Sequence, residues 1–164
     1  MLVHYDKMPE TARVWIYQAD RNLSDAEVIH VQQLLEGQLS EWAAHGASLT
    51  AAVKVFFRRF VVITLDEFQN AASGCSIDTS VRWLKDLGAE TGINFFDRSI
   101  AFWHNNEIKT VELTQIKSLV SEGILTPDTL IFNNLVAQKS EFQSKWQQKA
   151  GESWMKRYFQ QIPA

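Results

Sequence analysis

The chain has 164 residues, 46% of them hydrophobic and 21% charged, which fits one compact domain or two small halves sharing a core and excludes a disordered chain. Sixteen basic against nineteen acidic residues leave a formal charge of −3, which disfavours a surface built to contact nucleic-acid phosphates. No apolar run approaches the roughly 18 residues a membrane span needs, Met1–Lys7 lacks the pattern of an export signal, and one cysteine permits no internal disulfide, so a soluble cytoplasmic protein is expected.

Arg13–Gln18 alternates Val14 and Ile16 with Trp15 and Tyr17 and reads as a strand. Ser24 and Glu27 have capping-box spacing, and Val28, Val31, Leu34, Leu35, Leu39 and Trp42 recur at helical intervals, so a helix is expected from Asp25 to Ala44 with Gly46 as its stop. Thr50–Phe57 and Phe60–Asp66 read as a hairpin turning at Arg58-Arg59. After a polar connection, Ile77, Val81, Leu84 and Leu87 mark a second helix ended by Gly88 or Gly92. Arg98–His104 and Ile108–Leu113 form a further hairpin across Asn105-Asn106. Gln115–Glu122 is a short helix, Leu130–Phe132 a short strand, and 137–159 a largely helical tail, interrupted near Gly151 and anchored by Trp146, Trp154, Met155, Tyr158 and Phe159.

The order strand, helix, strand, strand, helix, strand is that of a ferredoxin-like α+β core, in which two helices cover one face of an antiparallel sheet. Residues 1–104 are read as that core and 105–164 as a smaller extension packed with it. This topology sets the end of the third strand and the start of the second helix beside the first strand, bringing Cys75, Ser73 and Asp66 near Arg13.

Chemistry is sought first at Ala72–Ser80, where small polar residues around Cys75 open the second helix. Uncovered N–H groups there favour a thiolate or a bound anion, with Ser73, Gly74 and Ser76 as the binding set. Asp78 in the first turn opposes a thiolate, and a C-x5-R phosphate loop is absent because Val81 stands where the arginine belongs and Arg82 follows it. The bland reading makes Cys75 a small structural residue and Ser73, Ser76 and Asp78 helix caps; the sharper one pairs Cys75 with Asp66 and Asp78 in a thiol- or anion-dependent enzyme. The four histidines have no metal-ligand spacing, so no metal or cofactor is expected. Six tryptophans and ten phenylalanines are more than a core of this size hides. Some of Trp15, Trp103, Trp146 and Trp154 are therefore expected to stand on an apolar contact patch, and Trp154 with Tyr158 to mark the tail as a docking surface.

Val14-Trp15-Ile16-Tyr17-Gln18-Ala19, Ala72-Ser73-Gly74-Cys75-Ser76-Ile77-Asp78 and Ile131-Phe132-Asn133-Asn134-Leu135-Val136 together resemble a family of small bacterial proteins of uncharacterised function, over essentially the whole chain. Members often carry the label ABC transporter ATPase. That label fails here, because a phosphate-binding loop requires Gly-Lys and none of the seven glycines precedes a lysine. Glu112–Phe132 is partly similar to the GYF-like type 2 module, a sheet-and-helix unit associated with protein interaction. Where peptide-binding GYF modules carry Gly-Pro-Phe, this chain has Thr110-Val111-Glu112; groove aromatics would come from Trp103, Phe132 or Trp146. The expected function is a non-catalytic interaction or adaptor module whose partner is a protein, a second copy of the chain among the candidates.

Overall fold

The computed structural model describes residues 1–160 and is an α+β protein of two units. The first unit is Met1–Asp97 with Leu135–Phe142; the second is Arg98–Asn134 with the chain from Gln143 on. The division falls at Asp97 rather than at residue 104, and Leu135–Phe142 returns to the first unit from the stretch assigned to the second.

In the first unit, β1 (Arg13–Gln18) leads to α1 (Asp25–Ser40), whose start carries the full capping box: Glu27 N donates to Ser24 Oγ at 3.2 Å and Ser24 N to Glu27 Oε1 at 2.9 Å. The helix stops short of the predicted Ala44. His45 and Gly46, with φ of 51° and 78°, make a tight turn between β2 (Ala43–Ala44) and β3 (Ala47–Ser48), so the left-handed glycine closes a small hairpin instead of the helix. β4 (Ala51–Phe56) and β5 (Phe60–Leu65) follow, then α2 (Gly74–Thr91), stopped by Gly92 at φ 74°.

The β4–β5 turn comes one residue earlier than predicted, with Phe57 and Arg58 at φ of 53° and 54°. Arg58 stays outside and pairs with Asp25 at 2.8 Å. Arg59 turns inward: its Nε donates to the Ala19 carbonyl at 2.8 Å and another guanidinium nitrogen to Asn22 Oδ1 at 3.1 Å, and desolvation pushes its pKa down.

The antiparallel sheet has the order β1-β5-β4. Val61, Ile63 and Leu65 face Val31, Leu35 and Leu39 of α1 and Leu84 and Leu87 of α2, all fully buried. On the opposite face, Tyr5, Phe56 and Phe142 meet edge to face with centroids 5.0–6.2 Å apart. Covering both faces explains why every β5 residue is buried, the even-numbered ones included.

A ferredoxin-like sheet would carry a fourth strand antiparallel to the free edge of β1, which the sequence reading places at Arg98–His104. The structure corrects this. Two separate pieces of chain line that edge: Asn94–Asp97, with Asp97 N donating to the Gln18 carbonyl at 3.1 Å, and Ala137–Lys139, with Val14 N donating to the Ala137 carbonyl at 2.9 Å. Arg13 and Gln138 form a single antiparallel bridge. The second unit is thus inserted, in sequence, at the fourth-strand position.

In that unit, β6 (Ile100–His104) and β7 (Glu107–Val111) turn at Asn105-Asn106, both at positive φ as predicted for a tight hairpin. This short closure commits β6 to a separate sheet of order β7-β6-β8-β9, completed by β8 (Leu130–Phe132) and β9 (Gln147–Lys149), with α3 (Ile116–Ser121) between β7 and β8. Phe102, Val111, Ile116, Leu125, Ile131, Ala150 and Met155 form its core.

The tail breaks near Gly151 as expected but is far less helical than predicted. Only α4 (Lys139–Lys145) is α-helical; β9 pairs with β8, and 3₁₀ turns follow at Ala150–Glu152 and Trp154–Tyr158. Gly151 packs on Pro127, where a Cβ would lie 2.8 Å from the proline Cβ, and Ser153 Oγ accepts from Met155 N at 3.0 Å as a new cap. Among the described residues, no helix is long and apolar enough to cross a membrane.

Candidate functional site

The start of α2 is held by its own hydroxyls. Ser76 N donates to Ser73 Oγ at 3.1 Å, Ser73 N to Ser76 Oγ at 2.7 Å, and Ser76 Oγ to the Ser73 carbonyl at 2.8 Å. The Ser76 carbonyl accepts the buried Trp42 indole N–H at 2.9 Å, pinning the first turn to the end of α1. Ser73 and Ser76 therefore serve the helix end itself. Gly74, Cys75 and Asp78 are exposed beside them. The Cys75 carbonyl accepts from Thr79 Oγ1 at 2.9 Å, whereas its thiol has no hydrogen-bond partner among the described residues.

The predicted meeting of this region with Arg13 takes a different form. Arg13 reaches Glu67, at 3.5 Å, rather than Asp66, and its guanidinium lies 4.6 Å from the centroid of the Trp15 ring. Glu67 Oε2 accepts from Ala72 N at 3.2 Å, which carries the contact to the residue before Ser73. Cys75 and Asp78 share no polar contact with Arg13 or Asp66. No group of three or more His, Cys, Asp or Glu able to hold a metal ion occurs among the described residues.

What these bonds organise is the loop Asp66–Ser73. Asp66 N donates to the Thr50 carbonyl at 2.9 Å, and the Asp66 carboxylate accepts from Phe68 N at 3.1 Å while its carbonyl accepts from Gln69 N at 3.3 Å. Asn70 Nδ2 donates to the Ala47 carbonyl at 3.0 Å, and Glu67 holds Ala72 as described. At the apex of this pinned loop Phe68 stands 85% exposed. Sequence reasoning passed over Phe68, because a single aromatic in a polar connection carries no periodicity. Its one signal was the aspartate two residues earlier, positioned for an Asx turn.

The other expected contact residues divide. Trp15 is half-buried; Trp146 is buried, with its indole N–H bonded to Asn134 Oδ1 at 2.9 Å. Trp103 is half-buried, donates to Gln147 Oε1 at 2.8 Å and tilts against Phe132, which also meets Trp146. Trp154 is 48% exposed with its ring edge to face on Tyr158, which is half-buried beneath Arg157. Phe68 is far more exposed than the other exposed aromatics Trp154, Phe57 and Phe96, and Trp103 and Trp146 spend their N–H groups within their own unit. No protein-family model, no curated protein and no solved structure matches this chain.

Proposed function

We propose that this chain is a non-catalytic protein-interaction module of the cytoplasm, with the Asp66–Ser73 loop as its contact element and Phe68 as the anchor. The observation that carries this reading is an exposed phenyl ring on a loop held by four backbone hydrogen bonds and a fifth from the Asn70 side chain. A preformed loop loses little conformational freedom on docking, and an aromatic side chain entering a pocket supplies a large part of the binding energy at many interfaces. Arg13 and Glu67 form the polar rim beside it.

The order of strands and helix in the second unit, β6-β7-α3-β8-β9, supports its assignment as a GYF-like module, with Trp154 as a second contact. The whole chain would then belong with the small bacterial proteins it resembles. The rival reading, an enzyme centred on Cys75 with Asp66 and Asp78, has less behind it. The thiol lacks a base, and Asp66 spends its carboxylate on Phe68 N.

Quantitative capture from the native host's lysate, comparing wild type with Phe68→Asp, tests the proposal. A partner retained by the wild type and lost by a variant with unchanged circular dichroism supports it. An identical partner list from both rejects it.

A further inference from the structure

The free edge of β4 is covered by a side chain. Ala51, Val53 and Val55 turn their backbone groups away from β5. At Ala51 they pair with the N-terminal segment, whose Val3 N donates to the Ala51 carbonyl at 2.9 Å while Ala51 N donates to the Met1 carbonyl at 3.0 Å. The segment then leaves the edge for a 3₁₀ turn at Tyr5–Lys7. From there Gln32 of α1 takes over: its Nε2 donates to the Val53 carbonyl at 2.7 Å, and its Oε1 accepts from Val55 N at 3.2 Å. One amide thus reproduces the donor and acceptor of a neighbouring strand. It is itself held by Glu36, whose Oε1 accepts from the same Nε2 at 2.7 Å. A groove of about 490 Å³ runs beside Val53–Val55, with Gln32 and Glu36 on one wall and Leu2–Tyr5 on the other.

The strand so covered, Ala-Ala-Val-Lys-Val-Phe, is short, apolar and high in β propensity, and an open edge of this kind pairs with another copy of itself. With the outward groups of Ala51 already taken by the N-terminal segment, the antiparallel alignment that pairs Val53 of one copy with Val55 of the other has its two-fold axis at Lys54. That alignment sets the two Lys54 side chains directly opposite each other, where like charges repel. Lys54 is partly committed already, with its ammonium 5.1 Å from the Phe56 ring centroid and 5.6 Å from that of Tyr5.

We propose that Gln32 and Lys54 hold the β4 edge shut against a second copy of this chain, Gln32 by occupying the hydrogen-bonding groups and Lys54 by charge. The test compares wild type, Gln32→Ala and the double variant Gln32→Ala/Lys54→Thr by sedimentation velocity up to about 0.5 mM and by amide exchange at Val53 and Val55. The expected wild type does not pair through this edge. In Gln32→Ala, the Val55 amide exchanges about tenfold faster at low concentration. The double variant dimerises, with Val53 and Val55 protected only as concentration rises. A folded double variant that stays monomeric overturns the proposal, as does a dimer that leaves those two amides unprotected, or a wild type that already pairs there. If the double variant is unfolded by circular dichroism, exchange at Val55 in Gln32→Ala decides, a roughly tenfold faster exchange supporting the proposal and an unchanged rate overturning it.

Discussion

The ammonium of Lys139 lies 2.7 Å from the carbonyl oxygen of Met8, a contact that joins the start of the first unit to the segment returning along β1. Lys139 is 4% exposed; it also donates to the Tyr5 carbonyl at 3.3 Å and sits 4.7 Å from the Tyr5 ring centroid. Carbonyl dipoles and a π face, not a carboxylate, hold this buried cation. Lys139→Met keeps the apolar stem but leaves the Met8 carbonyl without this donor. A loss of about 2 kcal/mol in denaturant unfolding is expected; an unchanged midpoint would show the clasp to be idle.

Glu27 at the start of α1 accepts two guanidinium nitrogens of Arg21, at 2.9 and 2.8 Å, and Ser24 N at 2.9 Å. The Arg21 hydrogen bonds first, then the Ser24 amide, hold its carboxyl at about 2, against an ordinary 4.5. The folded value lies below the unfolded one, so the stabilisation is complete above about pH 4.5 and is lost as pH falls toward 2. Carbon-detected NMR of the Glu27 carboxyl should follow this window, and Arg21→Ala should move the titration up. A native Glu27 already titrating near 4.5 contradicts the bidentate pair.

Gly88 lies inside α2, where alanine would ordinarily gain about 1 kcal/mol of helix propensity. A Cβ there would lie 2.7 Å from the Ile93 carbonyl oxygen, a backbone atom of the chain leaving the helix. The clash outweighs the propensity, and Gly88→Ala is expected to cost about 1–2 kcal/mol net. A raised melting temperature would mean that the Gly92–Ile93 turn shifts freely.

Cys75 is exposed on the first turn of α2 and its thiol supports nothing. Cys75→Ser should leave stability within about 0.5 kcal/mol, and the native protein should react with a thiol reagent without unfolding. Slow modification that tracks global unfolding would reveal a burial that the structure does not contain.

The Asp66–Ser73 loop should lose its shape when its Asx turn is removed. Asp66→Ala deletes the acceptor for Phe68 N, and limited proteolysis at 67–71 is expected to quicken by about tenfold with little change in global unfolding. Unaltered cleavage would show that Asn70 and Glu67 suffice.

Much of the fold and little of the site was legible in the residues. Val14–Tyr17, Ser24–Glu27, the paired runs before and after Arg58 and the Asn105-Asn106 hairpin each declare themselves within a few positions, because alternation, capping and turn chemistry are local. The α2 cap was legible as well, through Ser73 and Ser76. Phe68 was not, since exposure of one side chain on a loop depends on where Thr50, Ala47 and Ala72 lie in space.

The amino-acid order by itself determined the α+β class, the positions of β1, β4, β5, β6 and β7, and the start of α1. Tertiary structure alone decided that the edge of β1 is completed by Asn94–Asp97 and Ala137–Lys139, that β6 joins a separate sheet, and that the tail becomes β9 and 3₁₀ turns. Those outcomes rest on hydrogen bonds between residues far apart in the chain, such as Val14 with Ala137, and the closing of such distant contacts leaves no periodicity in either segment.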